Sequence, residues 1–277
     1  MTYCRYSCLS IALAAAIFLA VGGLPSFAQE QGDSKGGERL WDLALGAGGY
    51  LEPEYYGAKD MHPCFLPVVK GKLQLGRVNF FADTIDGAGA GLELGESIPL
   101  SLSMGVNIGK GRKSSDSSAL SGLPEVKNAY RLFGNAELET PRFGTLSLEM
   151  TYLPTHVDYQ AGRTNYDAIL ATASLSHEFH INRGIWFDAG IGIDWMNIDY
   201  AKANFGIIDA TADKKPYSPG AGIRSVSASL NAICMFSPSF GICLYGSGEY
   251  LVGKAADSPV IDRAFQPTVG SFAFYRF

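Results

Sequence analysis

Apolar and polar residues alternate along most of this chain. In LWDLALGAGGY, Trp41, Leu43, Leu45 and Ala47 share one face, with Asp42, Ala44, Gly46 and Gly48 on the other. PLSLSMGVNIG sets Leu100, Leu102, Met104, Val106 and Ile108 against Ser101, Ser103, Gly105 and Asn107. GIWFDAGIGIDWM sets Ile185, Phe187, Ala189, Ile191, Ile193 and Trp195 against Asp188, Gly190, Gly192 and Asp194. A period of two marks a strand with one wet face. The pattern predicts twelve strands, at 40–50, 63–72, 76–83, 86–95, 99–109, 128–140, 142–154, 168–179, 184–196, 223–236, 240–252 and 267–277. Many are longer than the usual soluble strand of about 5–6 residues and near the roughly 9–11 that cross a bilayer.

The links sharpen that reading. Strands two, four, six, eight and ten lead into the short segments KLQLG, GESIP, TPR, HINR and SPSF. Longer polar loops follow strands one, five, seven, nine and eleven, and only the link near Asp83–Asp86 departs from this rule. Short turns at one end, longer loops at the other and an even strand count predict an all-β transmembrane antiparallel barrel. The short turns are then periplasmic and the longer loops extracellular. A secreted soluble β-sandwich is the competing fold, and strand length argues against it. The last strand, SFAFYRF, places Tyr275 and Phe277 at the membrane interface, where aromatic girdles sit.

Turning the apolar face to lipid sends Asp42, Arg77, Glu93, Arg131, Glu137, Glu149, Asp188, Asp194, Glu249 and Arg276 into the lumen. A basic group on the lipid face would cost about 2–4 kcal/mol at mid-membrane, so the inward phase carries meaning. These charges suit either a hydrogen-bonded plug or a conducting path with mild cation preference, since acids outnumber bases.

The amino terminus reads as an export signal. Arg5 precedes the apolar run LSIALAAAIFLAVGG, and Ser26-Phe27-Ala28 fits a small-x-small cleavage site after Ala28. Residues 1–28 are thus a cleavable signal peptide, 29–39 a short polar periplasmic segment and 40–277 the barrel. The formal net charge of −5 argues against a nucleic-acid partner. Export, barrel strands and no Cys at the cleavage point together place the protein in the outer membrane, with membrane lipid around it.

Little in the sequence points to catalysis. Cys64, Cys234 and Cys243 remain after cleavage, and the strand phase sets Cys234 and Cys243 on opposite faces, so free thiols are expected. His177 and His180 of SHEFH point to opposite sides of a strand and lack HExxH spacing. His62 and His156 have no Ser partner on a shared face, and no GxSxG elbow occurs. The Gly-rich GAGAGLELG lacks the helix and Lys of a phosphate loop, and its small residues relieve crowding inside a barrel. No enzymatic activity, metal or other cofactor is expected.

Four loop-side strings carry a family resemblance. YLEPEYYGAKD, with Tyr55, Tyr56 and Gly57, resembles the segment after the first strand in the MltA-interacting protein / OmpV family of outer-membrane proteins. GKGRKSSDSSALSGLPEV, with Gly111 and Arg112, is similar to that family's GR…L.GL loop. NFGIIDATADKKPYSPGAGIRSV, with Phe205, Gly206 and Gly220, is similar to its Phe-Gly and Y.PGAG segments. YLVGKAADSPVIDR, with Asp257, Ser258 and Pro259, is similar to its ADSP segment. The resemblance implies a non-enzymatic envelope barrel, a scaffold with a periplasmic lytic transglycosylase and a murein synthase as partners. The terminal Phe277 resembles the signature read by the outer-membrane assembly machinery. The alternative is a narrow porin-like channel for small polar or cationic solutes. The short periplasmic turns sit uneasily with the scaffold role, because stable interfaces bury about 1,600 Å².

Overall fold

The computed structural model describes residues 40–277 apart from 96–98, 110, 116, 118–119, 128–129, 160–161 and 209–213. The expected signal peptide, its expected cleavage point at Ala28 and the segment 29–39 lie outside the described residues. Twelve antiparallel strands close into a barrel: β1 (Trp41–Pro53), β2 (Met61–Leu75), β3 (Val78–Asp83), β4 (Gly87–Glu93), β5 (Leu100–Ile108), β7 (Tyr130–Thr140), β8 (Gly144–Tyr159), β9 (Gly162–Asn182), β10 (Ile185–Met196), β11 (Gly222–Met235), β12 (Phe240–Leu251) and β13 (Phe265–Arg276). A thirteenth short strand, β6 (Glu125–Lys127), pairs with the upper end of β8. The seam joins β1 to β13, with Ala44 opposite Arg276 and Leu51 opposite Val269. Phe277 donates its backbone N–H to the Leu43 carbonyl (2.9 Å), so the last residue helps to stitch the seam.

Among the described residues no helix is long and apolar enough to cross a membrane; the strands do the crossing. Large apolar side chains cover the outer wall, with Met104 69% and Leu148 59% exposed to the surroundings. In water each would lose the roughly 1.5–3 kcal/mol gained by burial; in lipid they are matched. Trp41, Phe143, Phe179, Phe236, Tyr275 and Phe277 ring the short-turn end, and Tyr130, Tyr152, Trp195 and Phe265 stand toward the loop end. These are the two aromatic girdles of a bilayer-spanning barrel.

Two sequence expectations need correction. The polar stretch after strand seven is not a loop, because β8 and β9 pair continuously up to Tyr159 opposite Gly162. Alternation persists there as inward Thr155, Val157 and Tyr166, and polarity alone hid it. The link between strands nine and ten contains a helix, Ile198–Phe205. Its start is encoded locally: the Asn197 side chain accepts from the Tyr200 N–H (2.8 Å), an N-cap, and Asp199 lies in the first turn.

Candidate functional site: the lumen and its loop cap

Cross-strand register fixes the inner face. It aligns Asp42 with Lys72, Asn107 with Arg131, Asn135 with Glu149, Asp188 with Asn231 and Ser227 with Glu249. Asp42 and Arg276 form a two-pronged ion pair (2.7 and 2.8 Å), and Lys72 lies 3.6 Å from Glu93. Arg131 meets Glu149 (3.4 Å), Asn135 donates to Glu137 (2.8 Å), and Asn231 donates to Asp188 (3.3 Å). Arg77 differs from its expected position. It lies in the Gly76–Arg77 turn, because β3 begins only at Val78.

Inward aromatics do not simply fill the lumen, because glycine lets their rings lie along the wall. A Cβ on Gly89 would come within 2.6 Å of the Phe81 ring, and one on Gly105 within 2.6 Å of Phe133. Gly48 bears the same relation to Phe272 (2.5 Å) and Gly241 to Phe274 (2.8 Å). Aromatic rings over cross-strand glycines hold register while sparing the interior.

Above the lumen the loops form a packed cap. Tyr55, Ala58, Leu120, Leu123, Ile207 and Val260 make one buried cluster; Met196, Tyr200, Ala201, Phe205 and Ala255 belong to another. The four loop strings meet here. Tyr55 donates to Asp262 (2.7 Å), Ser258 Oγ donates to the Phe205 carbonyl (2.6 Å), and Arg112 Nη1 donates to the Asn204 carbonyl (2.8 Å). The Gly57 carbonyl accepts from the Asp262 and Arg263 N–H groups (2.8 and 3.0 Å). Its φ of +99° and the Ile261 side chain, 2.2 Å from where a Cβ would stand, require glycine at this point. The Pro259 carbonyl accepts from Lys214 Nζ (2.7 Å), and Asp257 ends the short helix Gly253–Ala256. Gly206 closes the longer helix through the Lys202 carbonyl (3.1 Å), and Gly111 and Gly220 are half-buried. Burial and the Asp262 contact push the Tyr55 phenol well above its usual range. Burial pulls Arg112 down to about 10, and its Nε and Nη2 have no hydrogen-bond partner among the described residues.

One residue joins cap to wall, and alternation conceals it. Arg224 shares sequence phase with outward Val226, yet it is only 5% exposed and points inward. The register slips between Asp194 and Trp195, so that Asp194 faces Ser225 while Trp195 faces Ile223. Arg224 is the extra residue of that bulge, and the bulge turns it to the lumen. Its Nη2 donates to Asp194 (2.6 Å) and Glu249 (2.9 Å), and its Nη1 to the Tyr200 hydroxyl (2.8 Å). Tyr56 stacks on the guanidinium, 4.7 Å from its ring centre, and donates to Glu249. Thr172 and Ser225 donate to Asp194 (2.5 and 2.7 Å). Barrel strands, the first loop and the loop helix thus converge on one cation. Lys70, Lys72 and Arg224 join the inner charges named from the sequence, and acids still outnumber bases.

Among the described residues Cys64, Cys234 and Cys243 form no disulfide. Cys243 pairs with Ile233 and Cys234 with Ile242, which sets the two on opposite faces. His180 stacks on Trp186 and meets Glu178 inside, whereas His177 packs on Phe179 outside. Among the described residues no group of three His, Cys, Asp or Glu is placed to hold a metal ion.

This barrel, with its capped lumen, matches a family model described as MltA-interacting protein MipA over residues 45–277. The chain belongs to the MipA family. It is an outer-membrane β-barrel protein. Among solved structures it is similar to the COG4313 outer membrane channel from Pseudomonas putida F1, at 13% identity and a TM-score of 0.48, covering 90% of this chain and 100% of that one. It is also similar to the translocator domain of the autotransporter NalP from Neisseria meningitidis, at 12% identity and a TM-score of 0.43, covering 98% of each chain. The Pseudomonas putida toluene transporter TodX aligns at 9% identity and a TM-score of 0.39, over 87% of this MipA-family chain and 90% of its own. No curated protein matches the sequence.

Proposed function

We propose that this MipA-family barrel is a gated, narrow channel for small polar solutes, with a mild preference for cations. One observation carries the reading: the inner charges of the lower lumen stay wet. Side-chain exposure is 50% for both Lys72 and Glu93, 44% for Asp42 and 53% for Arg276. A plug would bury such groups, and burying charge is costly without full compensation. The cap above them, tied at Arg224, supplies the gate. No catalytic step is part of this reading. Single-channel recording of the refolded barrel in a planar bilayer tests it. Discrete cation-selective steps are expected, with selectivity lowered by Glu93→Gln, Glu149→Gln or Asp188→Asn. Silence from a folded, inserted barrel, persisting when Arg224 is replaced by Met, would refute it.

The family description favours a second reading, a murein-enzyme scaffold binding a periplasmic lytic transglycosylase and a murein synthase. The described periplasmic face offers only links such as Gly76–Arg77, Pro141–Phe143 and Arg183–Gly184, little against the roughly 1,600 Å² of a stable interface. Calorimetric titration with a purified lytic transglycosylase would decide it. For either role, Tyr275 and Phe277 at the end of β13 are the proposed contact with the outer-membrane assembly machinery.

A further inference from the structure

The barrel wall is not of even height. β2 has 15 residues, but the adjoining hairpin has only six in β3 and seven in β4. At about 3.3 Å per residue and a tilt near 40°, six residues climb about 15 Å, short of the roughly 25 Å apolar band. β3 pairs with β2 only over Lys70–Leu75. Among the described residues Met61–Val69 therefore has a strand partner on the β1 side alone. Beyond the Thr84–Asp86 turn the wall is two strands short, up to the end of β5 at Asn107 and Ile108.

The sequence is fitted to this gap. Val69 N–H donates to Thr84 Oγ1 (3.3 Å) and the Val69 carbonyl accepts from the Thr84 N–H (3.1 Å), so the Val69 backbone faces the missing strands. Alternation turns Pro67, Phe65 and Pro63 the same way, and proline has no N–H to leave unpaired. Proline is confined to the edges of sheets, yet an open edge is not tolerated against lipid unless it lines a watered cavity. The turn at the floor is also self-sufficient. Asp83 Oδ1 accepts from the Ile85 and Asp86 N–H groups (2.6 and 3.2 Å), and Asn107 donates to the Ile85 carbonyl (2.7 Å). Phe65, on the outer face, is 68% exposed, and Ile85, in the turn, is 51% exposed; inside, Lys70 pairs with Asp83 (3.7 Å). Cys64 and Leu66, higher on the inner face, are buried, whereas Val68 is only half-buried.

We infer that this gap is a lateral port between the lumen and the loop-side half of the bilayer. It takes amphipathic molecules, with an acyl chain or ring between Phe65 and Ile85 and a polar head toward Lys70, Asp83 and Asn107. The port stands apart from axial conduction: a barrel silent in single-channel recording still has it, and a conducting barrel need not.

Indole quenching by acyl-brominated phosphatidylcholine tests the port in the full mature chain, in a background with Trp41, Trp186 and Trp195 replaced by Phe. On the closed wall, outward Leu148→Trp should be quenched and its inward neighbour Ser147→Trp should not. At the port the inward Val68→Trp should also be quenched, to at least half the extent of Leu148→Trp, because acyl chains enter. Quenching of Val68→Trp no greater than that of Ser147→Trp would overturn the proposal. Ile85→Trp, at an exposed position that tolerates the ring, gives an independent reading if Val68→Trp does not fold. Bromolipid and aqueous acrylamide should both quench it. Bromolipid alone would mean a sealed wall, and acrylamide alone a turn lying above the bilayer, and either overturns the port.

Discussion

Replacing Arg224 by Met tests the claim that one buried cation holds the cap to the wall. The Arg224 side chain is 6% exposed, and its carboxylate partners Asp194 and Glu249 are 11% and 19% exposed. Methionine keeps much of the volume but strands two carboxylates in a poorly hydrated site, where loss of one partner costs about 3–5 kcal/mol. Loss of the stacking of Tyr56 on the guanidinium adds about 0.5–2 kcal/mol. Neutralising the stranded carboxylates should reverse the loss. Arg224→Met combined with Asp194→Asn and Glu249→Gln removes the stranded charges and should recover about 2 kcal/mol or more, because a neutral set of similar volume is tolerated where a broken ion pair is not. Urea unfolding from lipid vesicles measures both differences. Hydrogen exchange locates the effect: amides of Ile198–Phe205 should exchange faster in Arg224→Met, while those of β8 should not. A loss below about 1 kcal/mol, or a triple variant no more stable than the single one, would refute the role given to Arg224.

Two further predictions concern the cap. Arg112→Met should stabilise the fold by about 1–2 kcal/mol, because it removes buried Nε and Nη2 donors that have no partner among the described residues and gives up the bond to the Asn204 carbonyl; a higher urea midpoint checks this. Tyr55 should make stability fall in alkali. Its phenol is held above the usual value of about 10 by burial and Asp262, so its contribution is intact below about pH 10 and is lost as pH rises toward the higher folded value. The unfolding midpoint should decline above pH 10, and less steeply in Tyr55→Phe.

Much of the fold was legible because a barrel states its geometry in a period of two. Alternation gave twelve strands, and the same phase is what assigns Asp42, Glu93, Glu149 and Asp188 to the lumen. The short-turn rule worked because links of two to six residues leave little room for ambiguity. The misses have two causes: polarity hid a regular alternation at the top of β8 and β9, and an irregularity hid Arg224. A bulge adds one residue and reverses the phase beyond it, so strict alternation from Val226 would turn Arg224 to lipid, whereas its register brings it to Asp194. A basic residue in an otherwise apolar phase, next to a glycine-rich strand start, was the available signal. At about 2–4 kcal/mol on the lipid face, Arg224 could not have stayed there without a reason.

The prolines of β2 also depart from the regular pattern of a paired strand. Pro63 and Pro67 fall two apart from Val69 and Phe65, so all four present their backbones to one side. A strand paired on both sides loses a ladder bond at each such proline, whereas an edge strand loses nothing on its open side. The spacing therefore marks which side of β2 is unpaired, and the side it marks is the one from which β3 and β4 fall away. In lipid the penalty for an unpaired N–H is several kcal/mol, larger than any propensity that would otherwise place proline in a strand. Two prolines on the open register are thus better explained by a maintained edge than by tolerance of a chance break, and a maintained edge at that depth requires water or ligand beside it.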